Sequence, residues 1–457
     1  MTFRHNRKID RSYDKPFFNR RRNTGRIYVI LFLLMLIFTV PAAIFWQADT
    51  ITMTAMEQLG VAPTPTPFAG ERAIIAEDLY AQGDIESAAL NYSLAVAQQP
   101  QNITYKYEYG LILIELDRND EALQLGEEII ELAPDDPRGY ALKAQSIAWT
   151  NPTVAIPAAV EGREVDNNFA PLWAALAVSY TSISRYTEAL RAGDFAVALD
   201  PLDPVARRSY SLPLIYTGNY SEAIRQLEQA IAINPSLVGP YFELASLYRN
   251  PQINQPEVAI SIYLEILEIE PDNERAYLRL CETNAAAGLF QEAEIFCDTA
   301  LDLDPAYTSA HRMRGQLRYS RRNYEGAIES FQMCYLLYAE EQLGIDIIDP
   351  IEVETQPNID ITSIEEQVDP STVDLAGLEI ECIYVRGLAH YFLGGANCDL
   401  AWRWLNFALN HPGAQASVET NILQGLTNVT VRCAGYIGRS LPTPIPPTPI
   451  PPTPIGG

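Results

Sequence analysis

Few side chains in this sequence stand at spacings that do chemistry. The four histidines, His5, His311, His390 and His411, are scattered along the chain. HExxH, GxSxG, a phosphate-cradling glycine loop and EF-hand spacing are all missing. With 58 acidic residues, adjacent carboxylates such as Glu127 and Glu128 are inevitable and mark no general acid or base. The chain is therefore read as a non-enzyme, with no metal and no cofactor. The six cysteines, Cys281, Cys297, Cys334, Cys382, Cys398 and Cys433, all fall in the last two-fifths of the chain. None stands in a CxxC or cysteine–histidine spacing suited to zinc. Their even number suits disulfides in an oxidising compartment. Reduced core thiols, Cys281 and Cys334 above all, are the other reading. A second concentration is cationic: Arg312, Arg314, Arg318, Arg321 and Arg322 fall within eleven residues. Further on, after residues 323–343, residues 344–374 carry nine acids and no base.

Charge and hydropathy bound what such residues can serve. The 457 residues are 48% hydrophobic, ordinary for a folded protein, and carry a net charge of −26. That charge is unevenly placed. Residues 1–26 hold nine Lys and Arg against Asp10 and Asp14, and the remainder carries −33. A body this acidic excludes nucleic acid as the expected partner, because binding there depends on neutralising phosphates. Between Arg26 and Asp49 no charge occurs, and residues 27–47 are long enough to cross the roughly 30 Å hydrocarbon layer as a helix. Tyr28 and Trp46 suit its two interfaces, and Pro41 lies in its final third. Basic residues crowd the first flank, and none follows until Arg72. The positive-inside bias then predicts a single-pass cell-membrane protein with a cytoplasmic N-terminus and an extracytoplasmic body. A cleaved signal peptide is the alternative, against which the apolar stretch is long and the residues before Ala48 are poor for cleavage.

Beyond a proline-punctuated stalk the chain becomes periodic. Prolines that stop helices fall at Pro100, Pro134, Pro201, Pro235, Pro271 and Pro305, with intervals of 34, 67, 34, 36 and 34. Asn168 fills the gap. An alanine stands twelve residues before each proline: Ala88, Ala122, Ala189, Ala223, Ala259 and Ala293. Trp173, Leu176, Ala177 and Tyr180 add the pattern W-x2-L-[G/A]-x2-Y, followed by Ala189, Ala196 and Pro201. Tyr241, Leu244, Ala245, Tyr248, Ala259, Tyr263 and Pro271 give the same signature, as do Tyr277, Leu280, Ala293, Ala300 and Pro305. A 34-residue period of this kind resembles the tetratricopeptide repeat (TPR) family. With the apolar segment ahead of it, the layout is similar to membrane-anchored TPR proteins of the bacterial envelope.

The resemblance implies an all-α fold, a right-handed α-solenoid of helix-turn-helix TPR units behind one transmembrane helix. The expected organisation is a basic cytoplasmic tail (1–26), the transmembrane helix (27–47), a Pro/Thr stalk (48–68), repeats one to eight (69–341) and an acidic insertion (342–375). A degenerate ninth repeat with a capping helix (376–430) and a Pro-rich tail (431–457) follow. Pro152 and Pro157 predict a short or irregular second helix in repeat three. Repeat six has two extra residues near Pro251 and Pro256, and repeat eight lacks its terminal proline. In the tail, PTPI recurs every five residues over 441–455, which favours polyproline II of roughly 45 Å reach.

On the register that the resemblance implies, Cys281 and Cys297 lie on facing helices of repeat seven. Cys334 nears Cys382 at the base of the insertion, and Cys398 meets Cys433 after the cap. TPR proteins bind peptides or helices in a concave groove lined by their first helices. Carrying those positions across gives Tyr107, Leu111 and Ile114 in repeat two, then Arg208, Leu212, Phe242, Arg249, Arg275, Glu282, Arg312 and Tyr319. The later groove is Arg-rich, and guanidinium forks match carboxylates, so an acidic peptide or protein segment is the expected guest. Pairing of these arginines with neighbouring Asp and Glu is the ordinary reading. A fold-back of the acidic insertion onto the Arg312–Arg322 patch is a sharper one. The expected function is a membrane-anchored protein-interaction scaffold. An accessory subunit or enzyme of the envelope, and a cytosol-facing adaptor, are the alternatives.

Overall fold

A computed structural model describes residues 67–344, 347, 350, 373–374 and 377–442. The predicted membrane segment, the stalk, most of the acidic insertion and the PTPI tail lie outside the described residues. Among the described residues there are nineteen α-helices and no strand. None of these helices is long and apolar enough to cross a membrane. The chain divides at Phe68–Ala69, and all nineteen helices belong to the second unit.

Eight hairpins come first: α1 (Ala69–Gln82) with α2 (Ile85–Gln98), α3 (Ile103–Glu115) with α4 (Asn119–Leu132), and α5 (Pro137–Ile147) with α6 (Pro152–Val165). Then follow α7 (Ala170–Ser182) with α8 (Tyr186–Leu199), α9 (Pro204–Tyr216) with α10 (Tyr220–Ile233), and α11 (Val238–Arg249) with α12 (Pro256–Ile269). The last two are α13 (Glu274–Ala286) with α14 (Phe290–Leu303) and α15 (Thr308–Ser320) with α16 (Tyr324–Leu343). Helices α17 (Glu381–Leu393), α18 (Cys398–Ala408) and α19 (Ala416–Arg432) complete the array.

Each repeat starts and turns by local chemistry. Asn102, Asp136, Asp203 and Asn273 cap first helices by accepting backbone N–H groups from Tyr105, Arg138, Val205 and Ala276. Pro137 and Pro204 follow two of these caps at the first helical position, where no N–H is needed. Between the helices one residue takes a positive φ: Gly83, Asp117, Ser184, Gly218, Asn254, Gly288 and Arg322, spaced like the repeat. Only repeat three lacks one among the eight turns. A further signature spans the loops between repeats. Tyr140, Trp173, Arg207, Tyr241 and His311 each hydrogen-bond the carbonyl six residues earlier, on Pro134, Asn167, Pro201, Pro235 and Pro305. The conserved spacing makes the side chain of one helix secure the loop that delivers it.

Small residues set the helix spacing. Ala88, Ala122, Ala155, Ala189, Ala223, Ala259, Ala293 and Ala327 occupy equivalent positions and are fully buried. Gly126 is tighter still, since a Cβ there would lie 2.7 Å from the backbone N of Lys143. At such contacts an added methylene forces the backbones apart, at a cost of about 1–3 kcal/mol.

Helix α6 corrects an expectation. Pro152 and Pro157 do not shorten it: it runs 14 residues, as do α8 and α10. Pro152 occupies the first turn, and Pro157 gives up one backbone donor while buried Ala155, Ala158 and Ala159 pack the helix against its neighbours. In repeat eight, where no proline stops the chain, α16 continues to 20 residues and ends at Gly344 in the left-handed conformation. Tyr335 of its regular turns and Tyr338 of its extra ones join the core shared with the last three helices. Trp404, almost fully buried, meets Tyr335 at 5.3 Å between ring centroids, and the Arg386 guanidinium lies 4.1 Å above its indole. Ile422, Leu426 and Val429 of α19 seal this core.

Three disulfides join the pairs that the repeat register implies. Cys281 of α13 bonds Cys297 of α14, Cys334 of α16 bonds Cys382 of α17, and Cys398 at the start of α18 bonds Cys433 just past α19. Beside the second bond, the Tyr338 hydroxyl donates to the Asp374 carbonyl at 2.8 Å and accepts from the Gly377 N–H at 3.1 Å. The return of the chain from the insertion is thereby tied to α16.

Candidate partner-binding groove

The first helices of repeats five to seven, with Tyr263 of α12, line an open cavity of about 610 Å³. Its apolar wall is Leu212, Ile215, Tyr216, Phe242, Leu247 and Tyr263. Arg249, Arg275 and Arg279 supply the opposite character, with Glu243, Ser246 and Asn250 at the polar edge. The sequence brings these together simply. Arg275 and Arg279 stand four residues apart on one face of α13, and Arg249 ends α11 one repeat earlier.

The carboxylate balance is lopsided. Glu282 receives Arg279 at 2.7 Å and Arg249 at 3.1 Å, and Arg312 lies 3.9 Å away. One carboxylate thus serves three guanidinium groups. Arg275 is exposed, with its guanidinium 4.5 Å above the Phe242 ring. It carries a full positive charge on an aromatic shelf.

Towards the N-terminal repeats the groove changes sign. A second hollow of about 820 Å³ shares Phe242 and Arg275 with the first. Asp84, Glu86, Glu115, Asp117, Glu270, Asp272 and Glu274 line it, together with Arg208. Arg208 donates to Glu243 at 2.7 Å and faces Glu115 at 3.7 Å. Burial pushes the Glu115 carboxyl above its ordinary range, against the pull of Arg208. The negative field of Glu243, outweighing desolvation, raises the Arg208 guanidinium still further and keeps it charged. The hollow exists because the array curves back on itself. The Ser236 hydroxyl donates to the Ala81 carbonyl at 3.0 Å, and a Cβ on Gly83 would stand 3.1 Å from Ile269.

The residues expected in the groove therefore have different fates. Phe242, Arg249 and Arg275 share one cavity, and Arg208 spans the next. Arg312 sits behind the cavity, on Glu282. Tyr107 is buried in the core of repeat two with Leu113, Ile129 and Leu142, and half-buried Leu111 packs on that same core. The Tyr107 ring is packed against its own and the following repeat, and Leu111 keeps part of its surface exposed. Tyr319 belongs to an aromatic cluster between repeats eight and nine, with ring centroids 5.7 Å from Tyr324 and 6.1 Å from Phe392. Sequence reading missed Arg279, whose four-residue spacing from Arg275 was the available signal, and Tyr216, for which none existed.

The Arg312–Arg322 patch pairs within the array. Arg314 meets Asp298 at 3.3 Å, Arg318 lies 3.7 Å from Glu294, and Arg321 also pairs with Glu294. The acids of the insertion that the fold-back reading requires lie largely outside the described residues. Among the described residues no cluster of His, Cys, Asp and Glu could hold a metal ion.

Fold and groove together define a class of helical-repeat proteins built around a curved, peptide-sized cleft. The tetratricopeptide repeat family model matches residues 79–146 and 254–317, so the chain carries TPR repeats. It is 21% identical over 254 residues to the Hsp70-Hsp90 organizing protein of Triticum aestivum, a match covering 55% of this chain and 38% of that protein. Hsp70-Hsp90 organizing protein 2 of Arabidopsis thaliana is 20% identical over 253 residues, covering 55% and 39%. The chain thus spans about two-fifths of the length of these curated relatives. Among solved structures, YrrB, described as a TPR protein with an unusual peptide-binding site, is 18% identical with a TM-score of 0.31, over 47% of this chain and all of that one. MamA from Desulfovibrio magneticus RS-1 is 19% identical with a TM-score of 0.32, over 37% and 94%.

Proposed function

We propose that this protein is a membrane-anchored scaffold whose groove captures an acidic segment of a partner protein. The observation that carries the reading is the convergence of Arg249, Arg275 and Arg279 on an aromatic-walled cavity, where Arg249 and Arg279 share the carboxylate of Glu282 with Arg312 and Arg275 stacks on Phe242. A guest carboxylate placed there gains charge-assisted hydrogen bonds, and its neighbouring apolar side chain gains the Phe242–Tyr263 wall. The acidic second hollow repels the same guest, which sets the direction in which an acidic segment lies. Residues 27–47 supply the anchor, with the N-terminus cytoplasmic and the repeats extracytoplasmic. Three disulfides in one array favour that oxidising side of a membrane.

The groove is tested by titrating labelled acidic and charge-neutral peptides of equal apolar content against the full chain. Preference for the acidic peptide should fall at least tenfold in Arg275→Ala/Arg279→Ala and weaken with salt, whereas Arg321→Ala, outside the cavity, leaves it unchanged. Equal binding of both peptides would remove the proposal. Topology is tested with an impermeant reagent on intact cells carrying a reporter at the tail. Protection until lysis would place the repeats in the cytoplasm.

A further inference from the structure

Three rings from three successive repeats form a row at the hairpin tips, with Trp149 and Tyr216 exposed and Tyr186 half-buried. Trp149 lies in the turn of repeat three, Tyr186 opens α8 in repeat four and Tyr216 ends α9 in repeat five. Tyr216 is central: its ring centroid stands 5.9 Å from Tyr186, nearly parallel at 14°, and 6.3 Å from Trp149. Trp149 and Tyr216 keep 51% and 52% of their surface in water. Ile183, 39% exposed, sits in the turn that precedes Tyr186. None of the three rings belongs to a core cluster among the described residues. Large aromatic faces held side by side in solvent mark a contact surface.

The chain itself contains a segment of matching chemistry. Residues 441–455 read LPTPIPPTPIPPTPI, uncharged and dense in proline. A polyproline II segment is already extended, so it loses little conformational entropy when its rings settle between aromatic side chains. The described chain ends at Pro442, beside exposed Leu441, at the foot of this tract. Fifteen residues in polyproline II, at about 3.1 Å each, would reach roughly 45 Å. Its root follows the Cys398–Cys433 bond, with three hairpins and the last three helices separating it in the array from the aromatic row.

We propose that the Trp149–Tyr216–Tyr186 row is a docking surface for the PTPI tail of a second copy of this chain. On this reading the tail of one copy meets the row of a neighbour. Tyr216 also lines the arginine cavity, so a docked tail borders the site where an acidic guest would bind. The contact is uncharged, and it stands independently of the acidic-guest reading.

Complementary defects test it. Two full-length populations, labelled with a donor and an acceptor dye and reconstituted in detergent micelles, report association by energy transfer. Trp149→Ala/Tyr216→Ala removes the row, and a stop after Pro442 removes the tail. Each variant mixed with itself should lose association at least tenfold. The row variant, which keeps its tail, should still pair with the tail-less chain, which keeps its row. Free LPTPIPPTPIPPTPI peptide should compete, and the same peptide with its prolines replaced by alanine should not. Arg275→Ala/Arg279→Ala should leave association intact, which separates this contact from acidic-peptide binding. Association indifferent to both deletions, or absent altogether, overturns the proposal. So does a monomeric wild type in which only the tail-less form binds free peptide, because that result seats each tail on its own row.

Discussion

The Ser236 hydroxyl meets the carbonyl of Ala81 at 3.0 Å across 155 residues of chain. This contact closes the array on itself, and Arg208 reinforces it from within by spanning Glu115 and Glu243. Arg208→Ala strips both carboxylates of their partner. Because the guanidinium keeps about a third of its surface in solvent, the expected loss is about 1–3 kcal/mol rather than that of a fully buried pair. Urea unfolding measures it. Amide exchange should quicken at Gly83 and Asp84, and unchanged exchange there would mean that the closure does not depend on Arg208.

His311 predicts a pH dependence. Burial, with Arg314 next to it, drives the imidazole down to about 3, so it stays neutral and bonded to the Pro305 carbonyl. Unfolded, it titrates near its ordinary 6.5. The unfolded chain therefore binds the extra proton between those values, and stability is fully present above 6.5 and declines as pH falls towards 3. His311→Gln retains a donor for Pro305 but no titrating group. Its melting temperature should lose less between pH 7 and pH 5 than that of the wild type, and parallel curves would assign the acid sensitivity elsewhere.

The turn residues predict opposite effects from equivalent positions. Arg322 holds φ 63° with a side chain that disfavours it, whereas Gly218 holds φ 78° with nothing within 4 Å of a built Cβ. Arg322→Gly should be neutral or stabilising by up to about 1 kcal/mol, and Gly218→Ala should cost about 1–2 kcal/mol purely through backbone strain. Thermal melts of the two variants compare them directly.

Disulfide removal should follow loop length. The bonded residues are 48 apart in Cys334–Cys382, 35 in Cys398–Cys433 and 16 in Cys281–Cys297. Chain-entropy arguments assign about 4 kcal/mol to the longest loop and about 3 kcal/mol to the shortest. Paired Cys→Ala variants, followed by urea unfolding, should rank in that order. Equal losses would mean that packing around the sulfurs, rather than the loop, dominates.

Much of this architecture is legible in the chain because its determinants are local. Caps such as Asp136 and Asn273, the buried alanines and the helix-stopping prolines each act within one or two turns of their own position. Repetition then multiplies a weak signal until the period is unmistakable. Cysteine pairing follows for the same reason, since a repeat touches mainly its neighbours and so offers each thiol few partners. Pro157 misleads because a single lost backbone hydrogen bond is outweighed by the packing of Ala155, Ala158 and Ala159, which propensity does not register.

Curvature is decided elsewhere. A small rotation between successive hairpins, set by how Gly126, Gly162 and Gly193 seat against the next repeat, accumulates over five units. That sum brings Ala81 to Ser236, and over fewer units the same rotation sets Trp149 beside Tyr216. The amino-acid sequence by itself determined the helical hairpins, their register and their crosslinks, because those depend on neighbours. Which side chains share a cavity was decided by the tertiary structure, because residues distant in sequence meet only after many small rotations have added up.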